Sequence, residues 1–405
     1  MKILLFCLTA VCLCAPLAAQ NRRYVNAAAT GANTGQSWAA AYTDLQTALQ
    51  IAQAGDEVWV AEGTYWPTAD LNRDSSFQLP SGVKLYGGFA GTETAPEQRD
   101  WQLHATVLSG DIGVAGDSTD NAYTILYLDN PDSLTVVDGF IFRFGNAGYL
   151  PNNVLTTSPS RCGGALYILA DWEAFVEVAN CRFEHNNARN NGGAVYVYGA
   201  GSPAVAPIFR DCNFSWNTAG QAGGGVYRSG NSGLERPDFL RCAFTANRAG
   251  TNGAAVYYLD GDGASWFDLE DCNFIKNQSV SKGIAVLQVG RADGTLVRVK
   301  GCRFVENLNS SILGDLHLLN RNGLACKSFE VESCSFVKYG YYAINYYLFG
   351  IPQSTVRIAK TRFENQIFNN VTISGEVIQN LVFSQDTIVN APGVQFTIGN
   401  GWDTT

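Results

Sequence analysis

Aligned on a recurring Cys-x-Phe triplet, the chain repeats one alternation of apolar and polar positions about every thirty residues. The triplets begin at Cys181, Cys212, Cys242, Cys272, Cys302 and Cys334, and Thr361 takes the cysteine place in a further copy. Three residues earlier every copy is apolar: Val178, Phe209, Phe239, Leu269, Val299, Val331 and Ile358. Five residues earlier stand Val176, Pro207, Pro237, Phe267, Val297, Phe329 and Val356. Between these columns lies a mostly charged one, Glu177, Ile208, Asp238, Asp268, Arg298, Glu330 and Arg357. Successive side chains of a strand point to opposite faces. The two apolar columns are therefore expected to face inward and the charged column to face water. Each cysteine shares its parity with the phenylalanine that follows, from Phe183, Phe214 and Phe244 through Phe274, Phe304 and Phe336 to Phe363, which predicts a second, short, inward-facing strand.

Five copies carry an asparagine five residues after the cysteine, at Asn186, Asn217, Asn247, Asn277 and Asn307. Small residues then lead into an apolar run at Gly192-Gly193-Ala194-Val195, Gly223-Gly224-Gly225-Val226, Gly253-Ala254-Ala255-Val256 and Gly283-Ile284-Ala285-Val286, and an earlier copy stands at Gly163-Gly164-Ala165-Leu166. A period of this length marks stacked units, none of which buries its apolar face alone. One coil reads as a strand, a bend, the Cys-x-Phe strand, an asparagine corner, a loop, a glycine corner and a third strand. The expected fold is all-β, a right-handed parallel β-helix of three-strand coils. Asparagine and glycine suit corners because both enter the left-handed backbone region readily, and stacked asparagines also hydrogen-bond along a ladder. The six cysteines would lie above one another at the strand spacing of about 4.8 Å. They are read as a ladder of buried thiols in preference to disulfides; Cys162 and Cys326 lie outside it.

Leu45, Ala48, Leu49 and Ala52 recur at helical spacing, with Thr43 as the expected N-cap and Gly55 as the stop, so residues 37–55 predict a short helix capping the solenoid. Short strands are expected at Glu57 to Ala61 and Val83 to Tyr86. The chain begins with Lys2, an apolar core from Ile3 to Leu13 and Leu17-Ala18-Ala19 before Gln20, the pattern of a secretory leader at residues 1–19. Residues 20–139 are expected to form the cap and irregular first coils, and 140–405 the regular repeats. Cys7, Cys12 and Cys14 fall in the leader, leaving eight of 11 cysteines for a compartment that permits disulfides. With 36 acidic against 27 basic residues and no basic cluster, nucleic acid is not an expected partner. No later stretch is apolar enough to predict a transmembrane helix. No cofactor motif appears, and nothing in the sequence bears on oligomeric state.

The Phe-x-x-Asn repeats with their Gly-Gly-Ala-Val steps resemble those of chlamydial polymorphic outer membrane proteins, which belong to the pectin-lyase-like right-handed β-helix class. The front of the chain, with Tyr24-Val25-Asn26, Gly31-Ala32-Asn33-Thr34-Gly35, Ser37-Trp38, Gly55-Asp56-Glu57-Val58-Trp59-Val60-Ala61 and Leu85-Tyr86-Gly87-Gly88-Phe89, is similar to the opening of large secreted β-helix proteins of Bacteroidetes-type bacteria. The resemblance implies a secreted protein, extracellular or held at the bacterial cell surface or outer membrane. It departs from both groups at Trp402-Asp403-Thr404-Thr405, where neither a barrel nor a sorting domain is seen, and Tyr339 and Gln366 stand where asparagine is expected.

For function the resemblance implies an adhesive protein binding a glycan or host surface. The candidate contact stripe is the column Tyr167, Tyr196, Tyr227 and Tyr257, although a core role is the favoured reading of it; parity does not settle the matter, since Arg228 and Gln288 place the neighbouring valines outward while the valines themselves argue the reverse. A polysaccharide lyase or glycoside hydrolase is the alternative; hydrolysis needs two carboxylates converging on the scissile bond, and the charged column offers Glu177, Asp238 and Asp268. No residue is assigned as catalytic, because His104, His185 and His317 stand in no catalytic setting and a charged outward column is usually a solvated face. A structural spacer or envelope component is the third reading. Asp260-Gly261-Asp262-Gly263 has the acid spacing of a calcium loop without its closing glutamate, and is read as a polar loop; no metal site is expected.

Overall fold

The computed structural model describes residues 21–399 apart from 150–154, 200–204, 231–237, 260–265, 282, 284, 291–294, 310–313, 321–325, 341–342, 348–353, 367–370, 375–377, 385 and 390–395. The expected leader and the Asp260–Gly263 loop lie outside the described residues. The chain winds as an all-β solenoid in which every strand pairing is parallel. A 12-stranded sheet runs from Arg22–Val25 to Ile378–Ser384, and two 11-stranded sheets run from Gly63–Tyr65 to Thr387–Val389 and from Phe77–Leu79 to Phe396–Gly399. One coil passes through all three, as Glu177–Ala179, Arg182–Glu184 and Val195–Gly199 do before Ile208–Arg210 opens the next. Six coils add a two-residue strand, from Asn146–Ala147, which follows Gly145, to Leu308–Asn309, the last of five that follow an asparagine, making a fourth, 6-stranded sheet. Two residues are too few to display a period, so alternation did not reveal it.

In-register stacking puts like on like. Phe142, Phe183, Phe214, Phe244, Phe274, Phe304, Phe336 and Phe363 form one continuous inner stack, with centroid separations of 4.6 Å between Phe304 and Phe336 and 5.5 Å between Phe336 and Phe363. Each fully buried ring stabilises the fold by about 1.5–3 kcal/mol relative to exposure. Beside the rings run Cys181, Cys212, Cys242, Cys272, Cys302 and Cys334, all buried free thiols. Each donates to a carbonyl of the preceding coil, as Cys212 Sγ does to Val178 at 3.4 Å and Cys242 Sγ to Phe209 at 3.3 Å. Burial holds the Cys212, Cys272 and Cys302 thiols well above the ordinary thiol range, so they stay protonated. Cys162 is also a buried free thiol, outside this row.

The asparagines face inward and are fully satisfied. Asn217 Nδ2 donates to Phe183 O at 2.9 Å and to Asn247 Oδ1 at 3.0 Å, while Asn217 Oδ1 accepts from the backbone and side-chain nitrogens of Asn186 at 3.0 and 3.1 Å. The same contacts continue through Asn277 to Asn307. The asparagine is not, however, the left-handed residue of its corner. That conformation falls one position earlier, at His185 (φ 55°), Trp216 (φ 59°), Ala246 (φ 55°), Lys276 (φ 54°) and Glu306 (φ 49°). Turning the chain there aims the following amide into the stack. The cost of a non-glycine left-handed residue, about 1–2 kcal/mol, is offset by the bonds that the amide then makes. At the other corner Gly192 takes φ 64°, and a Cβ there would lie 2.2 Å from Val195 O, so glycine is required.

The cap is a helix at Leu45–Ile51 that buries Leu45, Ala48 and Leu49. Its N-cap is Asp44 rather than Thr43, because the Asp44 carboxylate accepts from the backbone nitrogens of Gln46 and Thr47 at 3.2 and 3.0 Å. It ends at Ile51 with Ala52 as its C-cap, ahead of Gly55. Strand Glu57–Ala61 stands where expected, and the strand expected from Val83 to Tyr86 runs over Lys84–Phe89.

Candidate functional site

The tyrosine column lies in register on the third sheet, Tyr127 beside Tyr167, then Tyr196, Tyr227 and Tyr257. Val195, Val226 and Val256 fill the core, so the tyrosines point away from it. They are nonetheless covered: Tyr167, Tyr196 and Tyr227 are buried with Cys162 and Ala222, and Tyr257 packs against the same cluster. Tyr167 Oη donates to Thr157 O at 2.6 Å, tying the column to the segment that folds over it. Burial raises the Tyr167 and Tyr196 phenols far above the ordinary tyrosine range. From Tyr167 to Tyr227 the column is a second, smaller core, covered at Tyr167 by the segment that carries Thr157, rather than an open stripe.

The charged column also departs from expectation. Glu177 pairs with Arg210 at 3.1 Å and Arg298 is exposed, but Asp238 and Asp268 are only 3% and 1% exposed. Arg228 explains the difference. It reaches from the third sheet, pairs with Asp238, donates to Val205 O and lies over the Tyr258 ring at 4.7 Å. Asp238 Oδ2 accepts from the backbone of Asp268 at 2.9 Å, and Asp268 pairs with Arg298. Burial pushes both carboxyls above the ordinary range, against the opposing pull of Arg228 and Arg298. These acids are engaged in holding neighbouring coils together. The histidines are not assembled: His104 meets Glu62 at 2.9 Å, His317 is buried, and His185 sits on the outer corner. Among the described residues no group of three or more His, Cys, Asp or Glu side chains is placed to hold a metal ion.

The outer corner, formed by the left-handed residues themselves, was not singled out by alternation. Phe144, His185, Trp216, Ala246, Lys276 and Glu306 succeed one another there. Phe144 and His185 are 6.1 Å apart, and the His185 ring lies parallel to Trp216 at 6.3 Å with 4° between planes. Trp216 is 57% exposed. The pairing of Ser215 with Thr245 sets Ala246 over Trp216. One indole face is therefore turned to His185, and the other to the coil that carries Ala246. Beyond it the row becomes polar, with Lys276 and Glu306 paired at 3.6 Å. A parallel row from the two-residue strands carries Thr218, Arg248, Gln278 and Leu308 in register. Trp216, Ala246, Arg248, Lys276, Gln278, Glu306 and Leu308 line an open groove of about 370 Å³. Four coils at about 4.8 Å per step make it roughly 14 Å long. A flat apolar ring with an open face, flanked by nitrogen donors, suits a ligand with an apolar face and a polar rim. The sequence held a signal: the position before each asparagine changes type at every copy from His185 to Glu306, and one copy is tryptophan.

Residues 164–357 match the family model described as right handed beta helix region. The fold is a right-handed β-helix. No curated protein matches the chain. Among solved structures this β-helix is similar to pectate lyase Pel9A, at 13% identity over 92% of this chain and 80% of that one, with a TM-score of 0.41. It is also similar to a GH136 lacto-N-biosidase from Eubacterium ramulus, at 9% identity over 91% and 67% of the two chains and a TM-score of 0.34. A third is PfbA, a surface adhesin of Streptococcus pneumoniae, at 10% identity over 84% and 85%, with a TM-score of 0.32. These likenesses concern the fold and carry no argument on what this β-helix binds. Among its described residues no helix is long and apolar enough to cross a membrane.

Proposed function

We propose that the protein is a non-catalytic carbohydrate-binding β-helix that works outside the cell or at its surface, with the Trp216 corner as its binding site. The observation that carries this reading is the open indole face of Trp216, stacked on His185 behind and facing the coil of Ala246 in front. A pyranose ring presents a face of C–H bonds whose positive edges suit the negative face of an indole, and its hydroxyls fall within reach of flanking donors. Export is supported by the leader pattern of residues 1–19. A hydrolytic role draws no support from the charged column, since Glu177, Asp238 and Asp268 are each matched to an arginine. The test is a glycan panel scored for both retention and cleavage. Saturable binding lost in Trp216→Ala, with an unchanged circular dichroism spectrum, is the expected result. New reducing ends or unsaturated products would overturn the non-catalytic reading, and retention of no glycan would overturn the binding one.

A further inference from the structure

The charges around the corner groove point to a narrower ligand class. The chain carries a formal charge of −9, yet the groove holds two cations, Arg248 and Lys276, against one acid, Glu306. Lys276 is matched to Glu306 at 3.6 Å. Arg248 is placed differently. In its own row it lies between Thr218 and Gln278, both uncharged, and among the described residues no carboxylate stands within ion-pair distance of it. Several surface arginines are matched to acids, Arg182 with Glu184, Arg210 with Glu177, Arg241 with Asp211 and Arg357 with Glu332. The exposed Arg189 and Arg303 share with Arg248 the lack of an acid partner among the described residues but do not line the groove. Arg248 thus offers an unmatched planar fork beside the open face of Trp216, one coil further along the stack.

We propose that the groove binds an anionic glycan, with one sugar ring stacked on Trp216 and an acid group held by Arg248. The inference rests on the carbohydrate-binding reading of this site. Guanidinium donors match carboxylate and sulfate oxygens in a two-bond geometry, so the acid group is a uronate carboxylate or a sulfate ester. Lys276 adds a second, weaker contact because Glu306 competes for it. Gln278 supplies neutral donors and acceptors between the two cations. A fibre bound along the stack passes from coil to coil, so successive acid groups meet Arg248 in one row and then Lys276 in the other.

The test is calorimetric titration of the full chain, at low and at about 0.15 M salt, with neutral dextran oligosaccharides, their sulfated derivatives and a glucuronate-bearing hyaluronan oligosaccharide. Variants Trp216→Ala, Arg248→Gln and Glu306→Gln are compared, with Arg362→Gln as a remote control, and a thermal melt verifies that each folds. At least one acidic ligand is expected to bind more tightly than dextran, more weakly at higher salt, and roughly tenfold more weakly in Arg248→Gln. Glu306→Gln is expected to tighten that binding by about 2- to 5-fold, which loss of fold cannot mimic. Which acidic ligand binds separates carboxylate from sulfate recognition. Equal binding of neutral and acidic ligands, unaffected by Arg248→Gln but lost in Trp216→Ala, would overturn this inference and leave the carbohydrate-binding reading in place. Acidic-glycan binding indifferent to both Trp216→Ala and Arg248→Gln would overturn the site itself. Binding of none of the probes would overturn both readings.

Discussion

Asn217 and Trp216 are neighbours in the chain, and their two columns obey opposite rules. The inner column repeats asparagine in five coils, because each amide must close bonds to the coils before and behind. The outer column carries phenylalanine, histidine, tryptophan, alanine, lysine and glutamate in succession. Most of its side chains are exposed, so the structural demand that its positions share is to accept a left-handed backbone. The contrast teaches where a solenoid has room for function. A side chain on the outer corner can change type without opening the stack, whereas a change one residue later strands several buried polar groups.

The largest test of this contrast is Asn217→Ala. Losing that amide removes the bonds that it makes to Asn186 N and Phe183 O and one of the two made by each of Asn186 Nδ2 and Asn247 Oδ1. Unfolding in urea is expected to show a loss of about 3–5 kcal/mol; a loss below about 1 kcal/mol would show that the inner column is replaceable after all. Next comes Asp238→Ala, which removes the carboxylate paired with the buried Arg228 and is expected to cost about 3 kcal/mol. The double change Arg228→Met with Asp238→Leu should recover most of that loss, and failure to recover would place the energy in packing instead of charge.

Acidity probes the same buried pair. The Asp238 and Asp268 carboxyls titrate above their unfolded value of about 3.9, because burial outweighs the pull of Arg228 and Arg298. The folded chain therefore holds protons that the unfolded chain has released. Their contribution is fully present below the unfolded pKa and is lost as pH rises through the folded one. Glu332 acts in the reverse sense: Lys360 and Arg357 lower its pKa, so its contribution is lost as pH falls. Melting temperatures taken from pH 4 upward should rise more steeply, or fall less, in Asp238→Asn with Asp268→Asn than in the native chain; identical slopes would sink the assignment. The smallest effects belong to the outer column. Ala246→Gly, which removes the Cβ from a left-handed residue at φ 55°, is expected to gain about 0.5–1 kcal/mol, and Trp216→Ala to shift stability by no more than about 0.5 kcal/mol. A melt that drops sharply in Trp216→Ala would make the tryptophan a structural residue and weaken its role as a binding platform.

Much of the fold was legible along the chain because strand alternation is local. Val178, Phe209 and their equivalents face inward, as do the stacked phenylalanines, and an apolar face at each coil position can only be covered by the next coil. The site was less legible. Parity placed neither the tyrosines nor their cover, since Cys162 and Thr157 reach that sheet through a segment earlier in the sequence. Asp238 looked solvated because the arginine that encloses it belongs to another sheet.

By itself the sequence determined the period, the parallel stacking and the identity of the inner columns, for these follow from side-chain direction repeated at constant spacing. Only the tertiary structure decided which residue of each corner turns left-handed, which outward carboxylates are buried, and that Trp216 has one face against His185 and the other open over Ala246. Those are properties of coils lying on one another, with residues about thirty apart in the chain brought to a single strand spacing.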